Sequence, residues 1–360
     1  MATTSVTLAD AADFLTQFKS FVTGIASPQT WTCLKDSAVH TDFADYALCT
    51  GGDVATTTTS LAPDSHRTGP YVRRIYFSSP GLTGADTVYH CLTYMKNTTV
   101  GSHVIELRNM VAFDSTKTLP NQYRVSPPHY IPINNNNNNV LKIVANGRRA
   151  IILVKIGAGN SHEAGYIGLG YPCGSPVEVP YPLFTGGSCT LATRLPTDTT
   201  ADRHCFWDPG GAAATIYNPV TATGSLSTLS AAAVVATYEW LPCVNTNGAY
   251  SDDTYITPST TLTYVLPWRR HGLSSTASYS TAPGGKVWGS SDRTLEPAEI
   301  LSARVSHKGS YGHLDGVYFT PGVNGLGAED IIQVAGVDYL IWRNTNHAAG
   351  QRWFAAIKWE

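Results

Sequence analysis

Apolar positions in TLADAADFLTQFKSFVTG recur at steps of three and four: Leu8, Ala11, Ala12, Leu15, Phe18 and Val22. Side chains at those steps share one face, so the pattern predicts an amphipathic helix. Thr7 stands where an N-cap would, with Asp10 three residues on, and Gly24 stands where a glycine would end the helix. Phe14 and Phe21 lie beside the stripe and widen it. Such a face must be buried, either on the chain's own body or against a neighbouring subunit. The pattern then turns β-like. VRRIYFSS (72–79), DTVYHCLTYM (86–95) and HVIELRNMVAF (103–113) are rich in β-branched and aromatic residues. The turn clusters SPGLTGA and KNTTVGS separate them. RRAIILVKIG (148–157) is apolar without interruption, which predicts a strand buried on both faces.

Before that strand lie the asparagines Asn134 to Asn139. Asparagine side chains compete for backbone hydrogen bonds, so the run predicts a loop or turn of variable length; a glycan-binding ladder is the alternative. In the last third, DGVYFTPG (315–322) reads as a strand and turn. IIQVAGVDYLIWRN (331–344) reads as two strands with Ala335-Gly336 near the bend. QRWFAAIKWE places Trp353, Ala355, Ile357 and Trp359 on one face of a strand. LEPAEILSARV (295–305), with Pro297 early in it, is the one further stretch whose pattern tempts a helix reading. No fixed-period repeat is present. The expected fold is mainly β, with β-sandwich-like sheets and a short N-terminal amphipathic helix. The expected divisions are a helix or arm over 1–25, a β-rich domain over 26–190, and a second β-rich region over 191–360. Whether the last two are continuous stays open.

Composition narrows the function classes. Only 14% of the 360 residues are charged, against ~25% in ordinary soluble domains, and Thr, Ser, Asn, Gly and Pro fill the deficit. The net charge is −2, and the cations are scattered as pairs: Arg73-Arg74, Arg148-Arg149, Arg269-Arg270. A nucleic-acid binder needs a basic face, so no nucleic-acid partner is expected. AAAVVATYEWL (231–241) is too short to span a bilayer and is broken by Glu239, so no membrane partner is expected either. MATTSVTLADAADF lacks the features of a signal peptide, and synthesis in the cytoplasm without the usual export is expected. The seven cysteines, Cys33, Cys49, Cys91, Cys173, Cys189, Cys205 and Cys243, show no zinc spacing. They are either buried thiols or partners in disulfides formed after release, with pairing undetermined.

His162-Glu163 begins like a zincin motif, but Tyr166 stands where the second histidine belongs. Gly284-Gly285-Lys286 lacks the Ser or Thr of a phosphate-binding loop, Val287 following instead. Asp202-Arg203-His204-Cys205 groups an acid, a base and a thiol, yet neighbours on a strand point to opposite faces. Asp252-Asp253 and Glu329-Asp330 are carboxylate pairs that nothing singles out for sugar hydrolysis. No enzyme activity, cofactor or metal is therefore expected.

What remains is GYIGLGYPCGSPVEVPYPLFTGG (165–187), rich in Gly, Pro and Tyr, with Glu178 its only carboxylate. Prolines lack the donor a central strand needs, so PVEVPYPLF is expected at an edge or surface, pre-ordered for a partner. The alternative is a surface loop packed on its own body. In VANGRR, Asn146-Gly147 is a hairpin dipeptide that sends Arg148 and Arg149 to opposite faces. One of them is placed to fork with a carboxylate on the sheet or on a neighbour. The interface candidates are Arg148, Arg149, Tyr171, Pro172, Pro176, Pro180, Tyr181, Pro182, Leu183 and Phe184.

Four stretches in this order carry a resemblance: PGLTGADTVYHCL (80–92), VSPPHYIPI (125–133), VANGRRAIILVKI (144–156) and YIGLGYPCGSPVEVPYPLFTGGS (166–188). Together with the N-terminal helix and the closing WRN…W…AI segment, they cover most of the chain. The chain resembles a family of tailed-bacteriophage virion structural proteins and departs from it in the asparagine run and the cysteine content. The resemblance implies a non-enzymatic component of the virion, assembling as a multimer on the tail, neck or baseplate. Its partners would be other virion proteins and further copies of itself. The alternative is a receptor- or glycan-binding adhesin of the virion, directed at a host surface glycan.

Overall fold

The structure, a computed structural model, describes residues 1–40, 72–81, 87–97, 102–136, 138–157, 161–172, 182–189, 195, 206, 214–217, 240–242, 263–266, 295–304, 307–321, 326–343 and 353–359. Strand β1 (Ala2–Thr7) leads into helix α1 (Asp13–Gly24). Then follow β2 (Thr32–Asp36), β3 (Arg73–Ser79), β4 (Val88–Asn97), β5 (Ser102–Met110) and β6 (His129–Ile133). After the asparagine turn come β7 (Asn139–Ala145), β8 (Arg149–Ile156), β9 (Ser161–Leu169) and β10 (Leu183–Gly186). Short strands β11 (Ala214–Tyr217), β12 (Trp240–Pro242) and β13 (Thr263–Leu266) precede β14 (Glu296–Arg304) and β15 (His307–Pro321). The last are β16 (Ile331–Val334), β17 (Val337–Arg343) and β18 (Trp353–Lys358).

The protein is mainly β, as its pattern predicts. The strands form three antiparallel sheets, in the orders β1-β7-β8-β9-β10-β11-β12, β13-β14-β15-β18-β17-β16 and β2-β3-β4-β5-β6. The seven-stranded sheet lies in the middle. Along β8, Ala150, Ile152, Val154 and Ile156 enter a core shared with α1 and the five-stranded sheet. Ile151 and Leu153 enter the core shared with the six-stranded sheet. Burial on both faces is what its unbroken apolar run requires. The first core also contains Leu141 and Ile143 of β7, and Ile105 and Leu107 of β5.

The apolar face of α1 is buried on the chain's own body. Phe14, Leu15, Phe18 and Val22 pack there, and Phe18 meets Trp31 and Phe77 edge-on at 6.0 and 5.6 Å. Thr7 does not cap the helix; it belongs to β1. The turn leading into the helix is closed by acids instead: Asp10 Oδ1 accepts the Asp13 N–H at 2.9 Å, and Asp13 Oδ2 accepts the Ala9 N–H at 3.1 Å. Gly24 is the last helical residue, and the extended Ile25 follows it. A second anchor comes from Asp36, which takes ion pairs from Lys19 of α1 at 2.9 Å and Arg73 of β3 at 2.8 Å.

Three expectations need correction. The LEPAEILSARV stretch contributes a strand, not a helix: β14 pairs with β15, with register shifts between Pro297 and Glu299 and between Ile300 and Leu301. Cross-strand pairing overrides the local helical pattern, and the irregularity beside Pro297 suits a residue that cannot donate. The glycine-rich start of the 165–187 segment is the end of the central strand β9. Leu183 and Phe184 are likewise interior, because β10 runs between β9 and β11. Pro182 stands just before β10 and accepts the Gly170 N–H through its carbonyl at 2.8 Å, so its missing donor costs the ladder nothing. The asparagine run is a turn, as expected, closed by its own members. Asn139 Nδ2 donates to Asn134 O at 2.6 Å and to Asn136 O at 3.1 Å.

Candidate functional site

The Asn146-Gly147 turn joins β7 to β8 and meets residues of the PGL and GLGYP stretches. Asn146 Oδ1 accepts the N–H groups of Arg148 and Arg149 at 2.8 and 3.1 Å, the bonding of a turn closed by its own side chain. Its carbonyl accepts the Trp31 indole N–H at 2.8 Å. Gly81, from the PGL stretch, donates its N–H to Gly147 O at 2.7 Å. A Cβ on Gly147 would lie 2.0 Å from Gly81 O, so only glycine permits this approach. Tyr171, from the GLGYP stretch, exchanges both backbone hydrogen bonds with His313 of β15, at 2.8 and 2.9 Å. Gly312, at φ 122°, makes room for that contact; a side chain there would strike Tyr171 O.

The two arginines part as the alternation predicts. Arg149 is wholly buried, with Nη1 donating to Val144 O at 2.8 Å and Nε 3.3 Å from Asp315 Oδ2. Asp315 also accepts Asn146 Nδ2 at 2.8 Å, and its N–H donates to the Tyr166 hydroxyl at 3.2 Å. Burial, and after it the Asp315 carboxylate, pushes the Tyr166 phenol far above its usual range, so it stays neutral. Arg148 stays half-buried. Its Nη2 donates to Gly170 O at 2.8 Å and its guanidinium lies 4.7 Å from the centre of the Tyr171 ring. That ring is 36% exposed and 5.3 Å from the His313 ring.

Of the interface candidates, then, Tyr171, Pro172 and Arg148 reach the surface. Arg149, Pro182, Leu183 and Phe184 are buried within the chain and present nothing to a partner. Pro176, Pro180 and Tyr181 lie outside the described residues. Cys33 is half-buried and Cys91 and Cys189 are buried, with no disulfide among them. Burial pushes the Cys91 thiol up to about 12 and leaves it unreactive. Cys49, Cys173, Cys205 and Cys243 lie outside the described residues.

A second cluster escaped the sequence because cross-strand register, not spacing, assembles it. Ser79 Oγ is 2.9 Å from His90 Nε2, and His90 Nδ1 is 2.7 Å from Asn109 Oδ1. Asn109 Nδ2 donates across to β10, to Phe184 O at 2.8 Å and Thr185 Oγ1 at 2.7 Å. This is the connectivity of a hydroxyl nucleophile, a base and an orienting amide. All three residues are at most 1% exposed, and Trp31 stacks on the imidazole at 4.4 Å. Burial pulls His90 down to about 4, against the opposing hydrogen bond from Asn109. The imidazole is neutral and sealed from solvent, and it orients Asn109, whose amide ties the five-stranded sheet to the seven-stranded one. His129, pulled down to about 3 by burial, ties the same sheets through Nε2, 3.0 Å from Thr215 Oγ1.

His162 and Glu163 point to opposite faces of β9. His162 meets the Trp342 ring edge-on at 4.8 Å, while Glu163 shares its face with Ile167, and burial pushes its carboxyl up to about 7. Glu329 accepts Lys155 Nζ of β8 at 2.9 Å across 174 positions of sequence, while Asp330 Oδ2 closes a local turn by accepting the Gly327 N–H, so both carboxylates of that pair are engaged. Among the described residues no three His, Cys, Asp or Glu side chains are placed to hold a metal ion, and no helix is long and apolar enough to cross a membrane. No protein-family model matches the chain, and no curated protein matches it.

Proposed function

We propose that this chain is a non-enzymatic structural protein of a tailed-bacteriophage virion, assembled in several copies on the tail, neck or baseplate. The observation that carries the reading is convergence. PGL, ANGRR and GLGYP, far apart in the chain, meet at one end of the seven-stranded sheet through Gly81–Gly147, Arg148–Gly170 and Tyr171–His313 contacts. Their residues act there as close-packing glycines, a buried ion pair and a backbone seam between sheets. Those are the requirements of a rigid building block. Tyr171, Pro172 and Arg148 form the outer rim of the seam, and an aromatic ring beside a guanidinium is a common anchor for a neighbouring protein.

The test is quantitative mass spectrometry of gradient-purified particles from the phage that encodes the chain. Peptides of the chain at a fixed multiple of copies per particle are expected. Abundance in the lysate with absence from particles overturns the reading. Binding of the isolated protein on a glycan array would move it to the adhesin class instead.

A further inference from the structure

Among the described residues each sheet ends in two edge strands, and five of these six edges are blunted. β2 carries Lys35 and Asp36, both turned inward, and a register shift between Cys33 and Lys35. β6 contains Pro132, and its outer side is taken by the Tyr130–Cys189 bridge. β12 has three residues and ends in Pro242; β13 and β16 have four residues each. Such devices keep a sheet from pairing with other chains. β1 has none of them. It runs six residues, ATTSVT, with no charge, proline or bulge, in unbroken register with β7 from Ala2↔Ala145 to Thr7↔Val140.

The direction of its free backbone groups follows from one hydrogen bond. The Leu8 N–H donates to Asn139 O at 2.8 Å, which fixes the phase of the ladder. In an antiparallel pair the bonding direction alternates. Val6, Thr4 and Ala2 therefore aim their N–H and C=O groups at β7, and Thr3, Ser5 and Thr7 aim theirs outward. Ser5 and Thr7 are also exposed.

We infer that β1 is a docking edge for the β1 of a second copy of this chain, the two pairing antiparallel about a two-fold axis through Ser5. Outward-facing residues then pair with one another, Thr3 with Thr7 and Ser5 with Ser5 of the second copy, giving about six backbone hydrogen bonds. The two seven-stranded sheets become one continuous sheet. A two-fold axis brings like residues together, and a charged strand would repel its own mate. ATTSVT carries no charge and offers Thr and Ser hydroxyls across the junction, pairs that favour antiparallel association. This chemistry selects a second copy over an acidic or basic partner. It gives the assembly proposed above a specific surface, and it does not depend on where in a virion the protein sits.

Ser5→Pro is the discriminating variant. The Ser5 N–H faces outward, so proline removes a docking donor and leaves the β7 ladder intact. Light-scattering mass on a sizing column, from about 100 μM downward, should show wild-type dimers or even-numbered multimers that dissociate on dilution. Ser5→Pro should weaken the association by about tenfold or more, with an unchanged melting temperature when both proteins are dilute enough to be monomeric. Ser5→Lys, which sets like charges on the axis, should act the same way if the proline variant folds poorly. S5C should crosslink to itself under oxidation, since hydrogen-bonded partners sit about 5.5 Å apart between Cα atoms, within disulfide reach. A wild type monomeric throughout, or folded Ser5 variants with unchanged subunit count and affinity, overturns the pairing. Neither result bears on the particle measurement, so the two readings fail separately.

Discussion

The two faces of the central sheet are held by different chemistry. Toward the six-stranded sheet the ties are ionic: Arg149 to Asp315 at 3.3 Å and Lys155 to Glu329 at 2.9 Å, beside the apolar core around Trp342. Toward the five-stranded sheet they are neutral, made by Trp31, Asn109 and His129, with stacked and edge-on aromatics around them. Even the Glu163 carboxyl on that side is pushed up to about 7 by burial. A buried charge needs a paired countercharge, whereas a buried neutral group needs only a hydrogen bond. The ionic face should therefore be sensitive to loss of a partner. The neutral face should be sensitive to pH.

Removing a partner is expected to have the largest effect. Arg149→Ala leaves Asp315 buried beside a void and should cost about 3–5 kcal/mol in denaturant unfolding. A loss below about 1 kcal/mol would mean that the ion pair is not holding the sheets together. Glu163→Gln should show the neutral face with the opposite sign. The folded carboxyl is raised above its ordinary value of 4.5 to about 7, so the fold binds a proton more readily than the unfolded chain does. Stability then falls as pH rises from 4.5 through 7. The variant should gain up to about 3 kcal/mol over wild type at pH 8 and nothing at pH 4. His90 and His129 act at the other end: lowered from 6.5 to about 4 and about 3, they take stability away as pH falls below 6.5.

Asp36 is a charged group near the neutral face. Burial raises its pKa, but hydrogen bonds from Arg73 and Lys19 and from the Ala38 N–H outweigh burial and hold it at about 2. Its contribution is present above the ordinary value of 3.8 and is lost as pH falls through about 2. Asp36→Asn should cost about 1–2 kcal/mol at pH 7, and the difference from wild type should vanish in strong acid. The smallest change expected is at the turn of the β16–β17 hairpin. Ala335 and Gly336 both have positive φ, 52° and 79°, and a Cβ on Gly336 meets nothing within 4 Å. Gly336→Ala should cost only its backbone strain, about 1 kcal/mol, readable as a small shift in melting temperature.

Much of this was legible in the order of the residues. The unbroken apolar run of β8 announced a strand with two buried faces, the steps of three and four announced α1, and Ala335-Gly336 announced a bend. These are local properties: a period of two or 3.6 and a preferred φ belong to the segment that shows them. The candidate site was legible only in part. Asn146-Gly147 could be read as a turn and its arginines as divergent, yet nothing nearby showed which of them would be buried. That depended on Asp315, which meets the Asn146 side chain across 169 positions of sequence. The fate of LEPAEILSARV depended on β15, and the interior place of Leu183-Phe184 on β9 and β11. The residues thus settle what each segment is able to become. Which segments share a core, which charges find a countercharge and which edge stays open are set by long-range pairing, because those free energies exist only once distant strands are side by side.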